Sequence, residues 1–138
     1  PVKTVTDTKP RNTFVDEGGY YVYYNNSGNK VTGFNTIDGI NYYFYNDGRQ
    51  AKGDLIKVDS DYYYTTPDIG RVVTNEFKEI NGSWYFFGKD GKALKGFKTV
   101  DHLNYYFHSD GKQSKGETFT INGRTYTTDA NTGVVTKK

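Results

Sequence analysis

Residues 34–53 (FNTIDGINYYFYNDGRQAKG) and residues 97–116 (FKTVDHLNYYFHSDGKQSKG) are two versions of one segment, set 63 positions apart. The offset persists outside them. Phe14 aligns with Phe77, Gly33 with Gly96, Asp54 with Glu117, Tyr63 with Tyr126 and Gly70 with Gly133. A chain of 138 residues built this way is a tandem array, in which each unit buries itself against its neighbours rather than around one centre. The recurring residues are aromatic, and they come with a Gln-x-Lys pair. What repeats is therefore a surface, and binding is a better expectation than catalysis.

Each block divides into three shorter units: 14–33, 34–53 and 54–76 in the block 14–76, then 77–96, 97–116 and 117–138 in the block 77–138. Residues 1–13 lack the pattern, are rich in Thr, Lys and Pro, and read as a linker or interdomain segment. Within a unit, a first turn (Asp38-Gly39, Asn81-Gly82 or Asn122-Gly123) separates an alternating run from an aromatic cluster. A second turn follows at Asp47-Gly48, Asp90-Gly91 or Asp110-Gly111. Asn-Gly and Asp-Gly between short aromatic or β-branched runs signal hairpins, because both residues tolerate positive φ.

In an extended strand alternate side chains share a face, which puts Tyr42, Tyr63, Tyr85, Tyr105 and Tyr126 in register, with Val22 the exception in the first unit. No window has helical periodicity free of Gly or Pro. Single hairpins are marginal in water, so these must stack. The expected fold is all-β, a β-solenoid of stacked short hairpins.

Composition supports this and excludes much else. Tyr (14), Phe (9) and Gly (16) dominate while mean hydropathy is only −0.83, so the core must be thin, aromatic and spread along the chain. Basic (18) and acidic (16) residues are interspersed and nearly balanced, which offers no basic groove for nucleic acid and no patch for an anionic membrane. There is no apolar run of transmembrane length. Cysteine is absent, so no disulfide or thiolate metal site holds the fold. The lack of Met, even at position 1, reads as a piece cut from a longer chain whose export signal would lie upstream.

The most specific polar signal is Gln50-Ala51-Lys52, repeated as Gln113-Ser114-Lys115, each with a Tyr thirteen residues on, Tyr63 and Tyr126. An amide, an ammonium and an aromatic ring on one surface suit a neutral polyol. The C–H face of a sugar lies on the ring while Gln and Lys meet its hydroxyls. The corresponding segments Asn29–Thr32 and Lys92–Lys95 have no Gln and read as structural. Asp38, Asp47, Asp90 and Asp110 each precede Gly, where turn chemistry accounts for them, and no carboxylate pair stands out for glycosidic cleavage. His102 takes the place of Gly39 and His108 that of Tyr45, so neither is shared between blocks, and no metal site or cofactor is expected.

The units NGSWYFFGKDGKALKG and INYYFYNDGRQAKG resemble the cell-wall-binding and glucan-binding repeats of secreted Gram-positive proteins. The resemblance covers residues 14–138. It is closest to the repeats flanking the catalytic core of glucansucrases of lactic acid bacteria (glycoside hydrolase family 70), called domain V. It implies a hairpin solenoid and sugar pockets that use a stacking Tyr with Gln-x-Lys, here Gln50, Lys52 and Tyr63, and again Gln113, Lys115 and Tyr126, with Tyr42 and Tyr105 lining them. It also implies a secreted or cell-surface protein, a non-catalytic module binding α-glucan such as dextran or isomalto-oligosaccharides, and a catalytic domain elsewhere in the parent chain. Related repeats bind choline through cages of several aromatic residues, typically Trp. The single Trp84 lies in a unit without Gln-x-Lys, which weakens that alternative. The remaining alternative is a structural spacer.

Overall fold

The computed structural model describes residues 9–138, so the first eight residues of the expected linker lie outside the described residues. The described chain is all strand and turn. Six hairpins follow one another: β1 (Thr13–Asp16) with β2 (Tyr21–Tyr24), β3 (Gly33–Ile37) with β4 (Ile40–Phe44), β5 (Leu55–Val58) with β6 (Asp61–Tyr64), β7 (Glu76–Ile80) with β8 (Ser83–Phe87), β9 (Gly96–Val100) with β10 (Leu103–Phe107), and β11 (Thr118–Ile121) with β12 (Arg124–Thr128). A last strand, β13 (Val135–Lys137), adds to β12.

The first turns have the geometry that their residues predict. Asp38 and Gly39 have φ of 51° and 79°, Asn81 and Gly82 52° and 83°, and Asn122 and Gly123 51° and 79°. Two consecutive positive φ values let the turn twist match that of the flanking strands. At the fourth such turn, Asp101 and His102 adopt 49° and 69° without any glycine. In the second turns the carboxylates of Asp47, Asp90 and Asp110 each accept the backbone N–H two residues on, at 3.0 Å.

Past the first five hairpins one residue of the following segment bridges back, in the pairs Tyr24–Lys30, Phe44–Gln50, Thr65–Val72, Phe87–Ala93 and Phe107–Gln113, and β13 takes that place beside β12. Each repeat is thus three rungs deep, and the Gln-x-Lys pairs stand on the third rung. Chain contacts divide the described residues into two compact units, one of residues 9–54 with 65–72 and one of residues 55–64 with 73–138.

In both units the same main-chain link joins one hairpin to the next. In the first, Gln50 N–H donates to Tyr21 O and Val72 N–H to Asn41 O, both at 2.8 Å. In the second, Ala93 N–H donates to Tyr62 O at 2.8 Å and Gln113 N–H to Trp84 O at 2.7 Å. Side chains alternate accordingly. In the first unit Val22, Tyr42 and Phe44 are buried; in the second, Tyr63, Tyr85, Phe87, Tyr105 and Phe107 are. Phe44, Phe87 and Phe107 are wholly inaccessible. Burying each such ring is worth about 1.5–3 kcal/mol, so the core is a row of aromatic contributions. The register face of tyrosines seen in the sequence is mostly this inward face.

Candidate functional site

Gln50 and Lys52 belong to the first unit and line a concavity of about 200 Å³ with Phe14, Tyr21, Tyr42, Asp68 and Ile69. Gln50 is only 8% exposed, and its amide donates to Ile69 O at 2.7 Å, which fixes the side chain. Lys52 holds Nζ 4.3 Å from the centre of the Tyr21 ring, well within cation–π range. Tyr21 itself is 40% exposed, a platform open to solvent. Tyr42 forms the inner wall, with Phe14 edge-on to it at 5.3 Å. The Asp68 carboxyl is held below its ordinary value by the Thr66 hydroxyl and by the Ile69 backbone N–H, so it stands ionised at the rim.

The second unit repeats this arrangement 63 residues later. Gln113 is 9% exposed and donates to Thr132 O at 3.2 Å. Lys115 Nζ lies 4.7 Å from the Trp84 ring centre and donates to Asn131 O at 3.0 Å. Phe77 meets Tyr105 edge-on at 5.4 Å, as Phe14 meets Tyr42. The cavity here, about 320 Å³, is lined by Ser83, Trp84, His108, Lys112, Gln113, Lys115 and Glu117, with Gly82. The equivalent pairs Tyr21/Trp84, Asp68/Asn131 and Ile69/Thr132 are where the two sites differ. A second difference lies alongside. Where Tyr45 donates to Asp54 at 2.8 Å in the first unit, His108 and Glu117 make a 2.8 Å contact in the second. The Ser114 hydroxyl, followed by His108, holds the Glu117 carboxyl below its ordinary value.

Of the eight expected site residues, Tyr42, Gln50 and Lys52 come together in one cavity, and Gln113 and Lys115 in the other. Tyr105 is buried beside Phe77 and Phe107, behind the second site. Tyr63 lies on β6 in the second unit, 8% exposed, its hydroxyl pushed up by burial. Tyr126 lines a separate concavity of about 380 Å³ with Phe97, Asn104 and Lys137. The aromatic partners that spacing missed are Tyr21 and Trp84, which stand 29 residues before each Gln (50 − 21 and 113 − 84). They belong to the units 14–33 and 77–96, where no pocket was expected. The only sequence signal for them is that both open the aromatic cluster of the preceding unit.

Residues 31–77 and 94–138 match the choline-binding repeat family, and residues 75–93 match a cell wall binding repeat. Among curated proteins, glucosyltransferase-S of Streptococcus mutans serotype c is 38% identical over 119 residues, 86% of this chain and 8% of that protein. Glucosyltransferase-I of Streptococcus downei is 38% identical over 109 residues, 77% of this chain and 7% of that protein. The chain therefore spans less than a tenth of the length of these relatives. Among solved structures, CbpJ from Streptococcus pneumoniae superposes with a TM-score of 0.78 at 21% identity, over 89% of this chain and 41% of that one. Choline binding protein F of the same species gives 0.76 at 23%, over 89% and 40%. At that identity the likeness concerns the fold, an all-β solenoid of hairpin repeats, as the sequence leads one to expect.

Proposed function

The chain belongs to the choline-binding repeat family, and on that footing we propose that it is a carbohydrate-binding module for neutral α-glucan, with one pocket at Tyr21 and one at Trp84. It is a repeat binding region and not a catalytic one. The glucosyltransferase relatives support a glucan as the ligand, a parent enzyme that makes such polymers, and a secreted or cell-surface location.

The observation that carries the choice of ligand is the ammonium already standing on each ring, Lys52 over Tyr21 and Lys115 over Trp84. A quaternary ammonium seeking the same ring would meet that charge. At 4 Å the repulsion is about 1 kcal/mol in water and about 4 kcal/mol in a partly desolvated site, enough to offset a cation–π contact of about 0.5–2 kcal/mol. A neutral pyranose meets no such penalty. Its C–H face lies on the ring, the ammonium turns to its hydroxyls, and the anchored Gln presents its amide to a neighbouring hydroxyl. Tyr42 closes the inner wall of the first pocket, and Tyr105, in the equivalent place, backs the second. Tyr63 and Tyr126 hold the same third position of their strands β6 and β12; Tyr63 is buried in the core, and only Tyr126 lines a concavity, one where Gln-x-Lys is absent.

Each pocket alone binds weakly, because an open platform leaves most sugar hydroxyls in water. Two pockets on one chain raise the effective concentration of polymer near a catalytic domain carried by the same parent. The test is electrophoresis in gels with and without dextran. Retardation that falls partway in Gln50→Ala/Lys52→Ala and partway in Gln113→Ala/Lys115→Ala supports two pockets. Unchanged mobility of the folded chain, or release by free choline, overturns the glucan reading in favour of a spacer or a choline module respectively.

A further inference from the structure

The second unit carries a cleft of about 320 Å³ that no Gln-x-Lys motif marks, lined by Leu55, Tyr62, Ser83, Tyr85, Asp110 and Lys112 among others. Its framework matches that of the two pockets. Ala93 N–H donates to Tyr62 O at 2.8 Å, as Gln113 N–H donates to Trp84 O, so Tyr62 stands where Tyr21 and Trp84 stand. Tyr85 is buried behind it in the position of Tyr42 and Tyr105. The polar equipment differs. Ala93 replaces the Gln, and Lys95 is drawn off to Ser60 O and to Asp61 at 3.5 Å. Asp110 and Lys112 face the cleft instead. One Asp110 oxygen accepts Lys112 N–H at 3.0 Å, which orients the carboxylate and leaves its second oxygen for a ligand.

Ser83 and Lys112 line both this cleft and the Trp84 pocket, so the two cavities are neighbours with a shared wall. We propose that the Tyr62 cleft is an additional subsite of the Trp84 pocket, taking further glucosyl residues of the same chain. This rests on the glucan reading of that pocket. A carboxylate accepts from sugar hydroxyls and an ammonium donates to them, while an aromatic ring beside them takes the C–H face. Two rings and a carboxylate would also suit an organic cation. Lys112 sits in the same cleft, however, and Lys57 Nζ lies 5.7 Å from the Tyr62 ring centre. The second unit is thereby built for an oligosaccharide, with Lys112 at the joint between its two parts.

The test uses the full chain with its first pocket disabled by Gln50→Ala/Lys52→Ala. Calorimetric titrations compare isomaltose with an isomalto-oligosaccharide of six or more glucosyl residues. The expected result is tighter binding of the longer sugar by about tenfold, the scale of one added aromatic contact. Tyr62→Ala should abolish that preference, and so should Asp110→Asn, which keeps the turn contact and guards against a simple packing defect. Equal affinity for both sugars, or a length preference that survives both substitutions, overturns the extended subsite while leaving the Trp84 pocket standing. Binding of neither sugar overturns the glucan reading and the subsite with it. Binding of choline in the cleft overturns the assignment of ligand class.

Discussion

Gln113 and Gly133 are fitted to each other. The Gln113 amide, on its way to Thr132 O at 3.2 Å, covers the Cα of Gly133 so closely that a Cβ there would overlap Nε2, and Gly133 has φ of 77°. Gln50 and Gly70 (φ 79°) stand in the same relation. The glycine twenty residues after each Gln thus belongs to the same structural motif, because it makes room for the Gln amide. Gly133→Ala should lose about 1–2 kcal/mol from the positive φ alone, and displacement of the Gln should also weaken dextran retention. Chemical denaturation with dextran-gel mobility checks both. Full retention in a stable Gly133→Ala variant would show that the amide need not be held there.

Trp84 is the only tryptophan of the chain, so intrinsic fluorescence reports one pocket alone. Isomalto-oligosaccharides should change its emission. Lys115→Ala should abolish the change and Gln50→Ala/Lys52→Ala should leave it. Free choline at millimolar concentration should have little effect, because Lys115 already occupies the ring. A saturable response to choline would contradict the electrostatic exclusion.

His102 keeps φ of 69° where the corresponding turns use Gly39, Gly82 and Gly123. A non-glycine residue there costs about 1–2 kcal/mol, offset by roughly 0.5–1 kcal/mol of extra chain entropy that glycine loses on folding. His102→Gly should therefore raise stability by about 0.5 kcal/mol, read from the urea midpoint. A lower midpoint would mean that the imidazole makes a compensating contact.

Burial, with the hydrogen bond to Asp54 second, pushes the Tyr45 hydroxyl up to about 12. A group whose value is raised in the folded state contributes stability that is present below its unfolded value and lost as pH rises through the folded one. The contribution of Tyr45 should fade between about pH 10 and 12. Tyr45→Phe should flatten stability against pH in that window, measured by denaturant titrations at stepped pH. An unchanged alkaline slope would assign the loss to other tyrosines.

The fold was readable because hairpin chemistry is local. Asp38-Gly39 and Asn122-Gly123 state a turn within two residues, and the burial of Tyr42 and Phe44 follows from strand alternation. The pocket was half readable. Gln50 and Lys52 are two residues apart and share a rung, so spacing joins them. Tyr21 reaches the same cavity only because stacking lays one repeat beside the next, a relation that no spacing within a unit expresses. The Tyr62 cleft was hidden for the same reason, with the added difficulty that its carboxylate, Asp110, already has a complete explanation as a turn residue.

The links from Gln50 to Tyr21, Val72 to Asn41, Ala93 to Tyr62 and Gln113 to Trp84 all run through main-chain atoms. The link itself is therefore the same whichever side chain stands at those four places, and three different residue types occupy them, each packed at 9% exposure or less. A substitution at one of them changes the side chain presented there without removing the hydrogen bond that joins the two hairpins. Such an array can vary what it presents at one repeat while the main-chain seam between its hairpins stays the same.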